Sequence, residues 1–430
     1  MLIEFSIGNY RSFQELVTFS MVATKLVAKN REIDQANTFS VDDELSLLKS
    51  AAVYGANASG KSNLAKSLSF MKWFMINSSK ETQSTDVIGV EPFRLSTDTE
   101  NEPSHFEIVF MMDGQRYRYG FEARQDKIVK EWLFYVPKSR ETNLFKRELG
   151  EIRTSKKYGS DGLQKITRSN ALFLSVSAQF NVKIAEKILH WISHDLHIIS
   201  GLRNESYLDY TVSCLLNKEY ENEILQLVKN LDLGIDSISI KQHDLKPIFD
   251  SMPDLIKSIF IEASSEEDKA TSVVTRHKKF DRDRKYKSNE FFDLKMQESD
   301  GTFKLFTLSG LIVNALKNGL VLVVDELDAR LHPQITREIV KLFNSKKSNL
   351  LNAQLIFMTH DINLLDNELF RRDQIWFTNK NRYGESDLYS LAEYKVRNDA
   401  SFEDDYMRGR YGAVPYAHNL GRFLLQEDGK

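Results

Sequence analysis

Residues 55–62 read Gly55-Ala56-Asn57-Ala58-Ser59-Gly60-Lys61-Ser62 and stand between two segments of different character. The apolar run 51–54 before them is typical of a buried strand, and residues 63–68 after them have the pattern of a helix. A glycine-rich turn in this context is typical of a P-loop, in which backbone N–H groups and the positive end of the helix surround a polyphosphate. We therefore predict that Lys61 contacts the β and γ phosphates and that the Ser62 hydroxyl binds Mg²⁺. A chance turn before a helix is the alternative.

The bulk composition is that of an ordinary soluble globular protein. The chain has 430 residues, 41% hydrophobic and 28% charged, with a formal net charge of -3, so any basic binding surface must be local. Cys214 is the single cysteine, which excludes an internal disulfide and fits a reducing cytoplasm. We read no signal peptide at the N-terminus, and Lys317 and Asn318 interrupt the most apolar window, residues 305–324. We expect a cytoplasmic protein with no membrane role of its own.

The segments on either side of the P-loop have clear periodicities. Residues 2–7 and 17–21 alternate between apolar and polar, which predicts two strands joined by a turn that contains Arg11. For Arg11 a solvated loop residue is favoured over a phosphate contact. Apolar residues at helical spacing over 61–76 predict the helix behind the phosphate loop.

The following residues change from β patterning to helical patterning. An Asp113-Gly114 pair between two alternating runs predicts a hairpin, and residues 90–149 as a whole predict a mainly antiparallel β-subdomain. Residues 169–231 have a helical pattern, clearest over 180–192 and 220–231. Short strand-like pieces follow at 237–240 and 257–261.

A second predicted hairpin covers residues 271–297. Its predicted turn, residues 276–287, is the most basic stretch of the chain and includes Phe280 and Tyr286, which could stack on nucleic-acid bases. A solvated hairpin tip with interleaved acidic residues is the favoured interpretation, and a nucleic-acid contact is the alternative.

Two carboxylates at the end of an apolar run indicate the chemistry. Residues 320–324 are continuously apolar, as expected of a central parallel strand, and lead into Asp325 and Glu326. Ligands bind at the carboxyl edge of such a sheet, so Asp325 could hold Mg²⁺ through water and Glu326 could activate an attacking water. A buried strand that ends in two acids has few structural uses, which favours the functional interpretation.

Two further segments could contact a phosphate. Residues 298–302 precede an amphipathic helix over 303–318 and would form a second anion site, although a plain helix cap explains Ser299 equally well and is favoured when this segment is taken alone. His360 follows a second apolar strand, residues 355–358, and could donate to the γ phosphate; a structural histidine is the alternative.

Four motifs in this order resemble the ABC-type ATPase heads of the OLD-like abortive-infection ATPases, relatives of the RecF and SMC heads. They lie at residues 55–63, 298–302, 325–333 and 359–361. The long separation between the P-loop and Asp325 is too great for a compact P-loop GTPase and suits heads with a large insertion. The resemblance covers essentially the whole chain and is closest to the RloA-like and AriA-like anti-phage ATPases.

The resemblance implies an α/β fold, an ABC-type P-loop NTPase head with a mixed central sheet, an antiparallel β-subdomain and a helical insertion. It divides the chain into an N-terminal lobe, residues 1–165, and a C-terminal lobe, residues 271–430. Residues 166–270 would be the insertion, a lid or a partner-binding part.

The resemblance also implies residue roles. The catalytic group comprises Glu326, His360 as the switch histidine, Asp328 as the D-loop acid, and Ser299 and Gly301 as the signature, which contacts the nucleotide of an opposing protomer. The implied metal contacts are Ser62, Asp325 and Gln179, the last as the expected Q-loop residue. The resemblance places Arg11 and Ser12 beside the nucleotide, which reverses the preference for a solvated Arg11. The implied ATP contacts are Arg11, Ser12, Gly55, Asn57, Ala58, Ser59, Gly60, Lys61, Ser62 and Asn63.

The implied function is an ATPase with ATP and Mg²⁺ as cofactors, whose head dimer controls a separate effector, a nuclease, in anti-phage defence. The chain extends only about 70 residues beyond His360 and shows no second cluster of metal-binding acids, so the effector is expected to be another polypeptide. A phage trigger or DNA is open as a further partner. The alternative is a RecF-like DNA-binding ATPase of DNA repair, in which the basic hairpin would contact DNA.

Overall fold

The computed structural model describes residues 1–137, 140–202, 205–231, 234–244, 269–397 and 400–414. The chain forms two compact units. The first contains residues 1–201, 315–329 and 336–430, and the second contains residues 202–314 and 330–335.

The secondary structure is mixed. In chain order the strands are β1 (Leu2–Gly8), β2 (Val17–Ser20), β3 (Thr38–Ser40), β4 (Ser46–Leu48), β5 (Ser50–Tyr54), β6 (Ser104–Met112), β7 (Gln115–Ala123), β8 (Ile128–Val136), β9 (Thr142–Glu148), β10 (Glu151–Thr154), β11 (Leu196–Ser200), β12 (Ser237–Asp244), β13 (Lys269–Phe280), β14 (Tyr286–Asp293), β15 (Val321–Asp325), β16 (Gln354–Met358), β17 (Ile375–Lys380) and β18 (Ser386–Ser390). The helices are α1 (Arg31–Asn37), α2 (Lys61–Asn77), α3 (Phe173–Gln179), α4 (Lys183–His190), α5 (Glu205–Leu216), α6 (Glu221–Leu231), α7 (Asp300–Asn318), α8 (Pro333–Asn344) and α9 (Phe402–Met407).

One sheet of the first unit is antiparallel, with the strand order β10-β9-β8-β7-β6-β1-β2. Asp113 and Gly114 form the tight turn between β6 and β7, with φ angles of 51° and 69°. Both residues have the left-handed backbone conformation that a tight two-residue hairpin turn uses, and an Asp-Gly pair tolerates this conformation. The predicted β-subdomain is confirmed, and β1 and β2 confirm the two strands predicted before the P-loop.

The other large sheet carries the P-loop and has the order β11-β15-β16-β5-β17-β18. All neighbouring strands in it are parallel except the pair β17 and β18. Parallel strands have their carboxyl ends at one edge, so the residues after β5, β15 and β16 meet there. Helix α2 follows β5 and buries Leu64, Leu68 and Phe74, which confirms the predicted helix and the α/β fold.

The segment after the β-subdomain differs from its prediction. The helix predicted over 180–192 is wrong at its start, because α4 begins at Lys183 and residues 180–182 separate it from α3. Residues 196–200, predicted as helical, form β11 and pair in parallel with β15. Five residues are too few to establish a hydrophobic period. Pairing with a buried strand also overrides the local secondary-structure preference of these residues. The strand predicted at 257–261 lies outside the described residues.

The second unit combines α5, α6 and the first part of α7 with the antiparallel sheet β12-β13-β14. Its core contains Val212, Ile224, Val228, Ile238, Val273 and Phe306. Strands β13 and β14 confirm the predicted hairpin, but the predicted turn is too long. Pairing continues to Phe280 and Tyr286, so only residues 281–285 connect the strands. Nowhere in the described residues is there a helix long and apolar enough to cross a membrane.

A buried carboxylate joins the antiparallel sheet to α3. Glu131 on β8 is fully buried and accepts the N–H groups of Phe173 at 2.7 Å and Leu174 at 3.0 Å. These N–H groups belong to the first turn of α3, where no helical carbonyl can pair with them. Burial raises the pKa of the Glu131 carboxyl, and the Arg147 guanidinium opposes this rise.

We expect Glu131→Gln to lower the free energy of unfolding by about 1–3 kcal/mol, because the amide has one acceptor fewer and leaves a buried N–H of α3 unpaired. Urea unfolding followed by circular dichroism would measure the change. Glu148→Gln, on the exposed side of the same sheet, is the matched control. Equal unfolding midpoints for the two variants would contradict this role.

Candidate functional site

A cleft of about 440 Å³ lies at the carboxyl edge of the parallel sheet. Residues 57–63 of the P-loop form one side of it, and Glu326, His360 and Lys380 complete its lining. Three segments that are far apart in the sequence therefore meet, as the sequence predicted for the P-loop, the carboxylate strand and the histidine strand.

The P-loop backbone has no room for side chains at its two glycines. Gly60 has a φ of 123°, and a Cβ atom there would lie 2.6 Å from Ser386 Oγ. At Gly55, whose φ is 156°, a Cβ atom would lie 2.4 Å from the Thr378 carbonyl oxygen. Both distances are far below van der Waals contact, so glycine is required where β17 and β18 approach the loop.

Hydroxyl groups from β17 and β18 hold the loop in place. The Oγ atoms of Ser59 and Thr378 are 2.6 Å apart, and the Ser386 hydroxyl donates to the Ser59 carbonyl at 2.6 Å. The Ser386 N–H also donates to the Ser12 carbonyl at 2.6 Å. The Asn63 amide donates to Ser12 Oγ at 2.7 Å, which ties the first turn of the chain to α2.

Lys61 is buried and folded back onto its own loop. Its ammonium donates to the carbonyl oxygens of Gly55 at 2.7 Å and Ala56 at 3.1 Å. Burial lowers the pKa of Lys61 to about 8, and the nearby carboxylates, first Asp325, oppose the change. A buried cation that is held only by neutral carbonyls gains from an anionic ligand in the cleft.

Asp325 and Ser62 form an oxygen pair suited to Mg²⁺. Burial raises the pKa of the Asp325 carboxyl, and the adjacent Ser62 hydroxyl is the largest opposing influence. The Oδ1 atom of Asp325 is buried without a hydrogen-bond partner among the described residues. The described part of the chain contains no group of three His, Cys, Asp or Glu residues able to hold a metal. Mg²⁺ commonly needs only one or two protein oxygens when phosphates and waters complete its shell, so these residues fit it.

Glu326 and Asp328 follow β15 in a tight turn. Glu326 has a φ of 58° and lines the cleft, while Asp328 Oδ2 accepts the backbone N–H of His360 at 3.3 Å. The turn thus links the end of β15 to the end of β16. The Oδ1 atom of Asp328 is buried and unpartnered within the described residues.

His360 lies beside the P-loop lysine. Burial lowers the pKa of the His360 imidazole, and the Lys61 ammonium lowers it further, whereas the carboxylates of Asp328, Glu326 and Asp325 oppose the change. The ring is therefore mainly neutral near pH 7, with one N–H available for donation.

Three predicted residues have other surroundings. The Arg11 guanidinium pairs with Glu91 at 2.5 Å and lies 5.7 Å from the Tyr10 ring centre. Gln179 is the last residue of α3, and neither it nor Arg11 is among the cleft-lining residues in the described chain. Ser12 supports the P-loop through its hydrogen bond with Asn63. Nucleotide contact by Arg11, Ser12 and Gln179 stays a prediction.

The signature residues belong to the second unit. Ser299 Oγ accepts the Thr302 N–H at 3.1 Å and so caps α7, as the simpler interpretation of this segment predicts. A Cβ atom at Gly301 would lie 2.8 Å from the Arg330 carbonyl oxygen. Contact of Ser299 and Gly301 with a second protomer stays a prediction.

Two contributors to the site, Gly201 and Lys380, were not predicted from the sequence. Gly201, directly after β11, donates its N–H to the Asp325 carbonyl at 2.6 Å, and a Cβ atom there would lie 2.1 Å from the Glu326 carbonyl oxygen. Lys380 ends β17 and lines the cleft with an exposed side chain. The apolar run at residues 375–377, directly before Thr378 and close to Lys380, was the available signal for these two residues.

Comparison with known families identifies the chain. The family model described as "AAA domain, putative AbiEii toxin, Type IV TA system" matches residues 50–366, and the chain belongs to this family. The matched segment includes the P-loop, the two carboxylates after β15 and His360. No curated protein matches the chain.

Three solved structures match the chain at low sequence identity. The SMC head domain from Thermotoga maritima is 13% identical, covers 92% of this chain and 99% of its own, and has a TM-score of 0.41. The Smc head domain with an extended coiled coil, bound to the C-terminal domain of ScpA, from Pyrococcus furiosus is 12% identical, covers 95% and 98%, and has a TM-score of 0.38. The Smc head domain with a coiled coil and joint from Pyrococcus yayanosii is 10% identical, covers 95% and 99%, and has a TM-score of 0.41.

We expect Lys380→Ala to raise the Kd for ATP roughly 2- to 10-fold, because the cleft loses a cation beside the phosphate loop. Titration with a fluorescent ATP analogue would measure the change. Lys395→Ala removes the same charge from an exposed position that does not line the cleft and should leave the Kd unchanged. Equal affinities for both variants would remove Lys380 from the site.

Proposed function

We propose that this member of the AAA family is an ATPase that binds ATP with Mg²⁺ in the cleft and hydrolyses it to ADP and phosphate. The observation that carries the proposal is the meeting of the P-loop, residues 325–326 and His360 at one edge of a parallel sheet. A polyphosphate cradle, a magnesium ligand and a candidate general base are the parts that phosphoryl transfer to water requires.

Each cleft residue has a chemical role in this proposal. Lys61 exchanges the carbonyls of its own loop for β and γ phosphate oxygens. Ser62 and Asp325 hold Mg²⁺, which neutralises charge on the phosphates. Glu326 orients the attacking water and accepts its proton, and neutral His360 donates its N–H to the γ phosphate.

The ATPase would work as a head dimer. In one protomer the helix α7 begins at Asp300, directly after Ser299, and the positive end of the helix dipole would attract an anion there. We infer that Ser299 and Gly301 of a second copy complete each ATP site, so that ATP bridges two like surfaces. Hydrolysis removes this bridge and lets the heads separate.

The output would be control of a separate effector, a nuclease, in anti-phage defence. The family description, which names a toxin of a toxin–antitoxin system, supports a role in conditional toxicity. We expect that co-expression with the product of a neighbouring reading frame is toxic in a manner that depends on Lys61. Toxicity that is indifferent to Lys61→Ala would contradict control by this ATPase.

Two substitutions separate binding from hydrolysis. Lys61→Ala should abolish ATP binding, because no other group replaces the buried ammonium at the phosphates. Glu326→Gln should bind ATP normally and lose at least about 100-fold in turnover, the lower range for loss of a general base. Phosphate release and nucleotide titration would measure both effects, with Lys395→Ala as the control. Normal turnover in either variant would overturn the assigned role.

Mixing two inactive variants tests the shared site. Ser299→Arg blocks the signature surface and Lys61→Ala blocks the P-loop, so each homodimer should be inactive. A mixed dimer contains one site with both groups intact, and activity should return when the variants are combined. Failure to recover activity, although differently tagged copies of the two variants co-purify, would contradict a site built from two copies.

A further inference from the structure

The β13–β14 hairpin ends in an exposed aromatic pair. Phe280 and Tyr286 are direct cross-strand partners at the last position before the turn. Their side chains are 54% and 55% exposed, which is unusual for two large rings at neighbouring positions. We call residues 278–287 the hairpin tip. About half of each side chain is therefore accessible to a ligand.

Most cations of the strands are already paired. Arg276 bonds to Asp236 at 2.5 Å, and Lys279 bonds to Glu290 at 2.7 Å. Lys278 lies 3.6 Å from the second oxygen of Asp236. These residues therefore neutralise acids of the same unit and contribute little to an external charge.

The turn itself carries unpaired charge. Arg282, Arg284 and Lys285 are exposed and form no ion pair with any residue in the described ranges. Asp283 is the one exposed acid among them, which leaves a local excess of positive charge. Because these cations lie within one five-residue turn, their charges stay close together. An anion with regularly spaced charges can therefore contact several of them at once.

Asp281 fixes the shape of the turn and forms its ion pair with Lys287, not with Arg282, Arg284 or Lys285. Its Oδ1 atom accepts the N–H groups of Asp283 and Lys285, both at 2.9 Å. Its Oδ2 atom lies 3.4 Å from the Lys287 ammonium. These hydrogen bonds fix the backbone of the turn, so the three exposed cations extend from a fixed set of backbone positions.

We propose that the hairpin tip binds single-stranded nucleic acid. Phosphates would contact Arg282, Arg284 and Lys285, and unpaired bases would stack on Phe280 and Tyr286. An acidic polypeptide would use the cations alone and leave both rings in water. A regular duplex would also leave the rings unused, because its bases are already stacked. The paired rings therefore favour a single strand over either alternative.

The experiment measures fluorescence anisotropy of a labelled oligo-deoxythymidine of about 16 nucleotides with the full chain, over a salt series. Three phosphate contacts predict that log K falls with log salt with a slope of about -2. The same oligonucleotide as a duplex, and polyglutamate as a competitor, form the other arms. Duplex should bind more weakly, and polyglutamate should compete poorly.

Two sets of substitutions act differently. Replacing Arg282, Arg284 and Lys285 by Gln should bring the salt slope close to zero. Replacing Phe280 and Tyr286 by Ala should weaken binding about 5- to 150-fold for each ring, with the salt slope unchanged. The matched control replaces three exposed lysines of the first unit by Gln: Lys25, Lys156 and Lys395. Thermal unfolding should be the same for all three proteins, because every altered side chain is exposed.

Four outcomes would overturn the proposal. These are no binding at low salt, equal loss in the control, tighter binding of the duplex, and full competition by polyglutamate. ATP binding should be unaffected by the tip substitutions, which separates failure of this proposal from failure of the ATPase assignment.

Discussion

The whole site depends on how closely the P-loop backbone approaches the β17–β18 hairpin. Ser386 and Thr378 occupy the space that a Cβ atom at Gly60 or Gly55 would need. The same side chains bond to Ser59, so the contact that excludes larger residues also holds the loop. Each hydrogen bond contributes only about 1 kcal/mol, but together they fix a loop whose own conformation is left-handed at Ala58 and Gly60.

The cleft is electrostatically incomplete without a ligand. Lys61 is held by neutral carbonyls, and buried oxygens of Asp325 and Asp328 lack partners among the described residues. Unpaired buried polar atoms cost free energy, and such groups concentrate where a ligand supplies the missing partners. The arrangement therefore favours a ligand that carries both anionic charge and a divalent cation. A nucleoside triphosphate with magnesium has both.

Much of this could be predicted because each motif is a short run of sequence attached to a strand end. The P-loop, Asp325 and His360 needed only the rule that parallel strands end at one edge, and α2 and the Asp113-Gly114 turn needed only local periodicity.

The predictions that failed concern features that depend on contacts distant in sequence. Residues 196–200 become a strand because β15 lies beside them. The supporting roles of Gly201, Ser386 and Lys380 follow from packing between segments hundreds of residues apart, which no local pattern reports. The predicted basic turn was too long because cross-strand pairing extends to Phe280.

The dependence of the P-loop on β17 and β18 has a consequence for synthesis. Ribosomes make the P-loop early and its supports more than 300 residues later. A nascent chain therefore carries the phosphate motif over more than 300 residues of translation without the hydroxyl groups that shape it. The loop can reach its observed shape only after residue 390 has left the ribosome, so a fragment that ends before β17 would lack the groups that hold the P-loop.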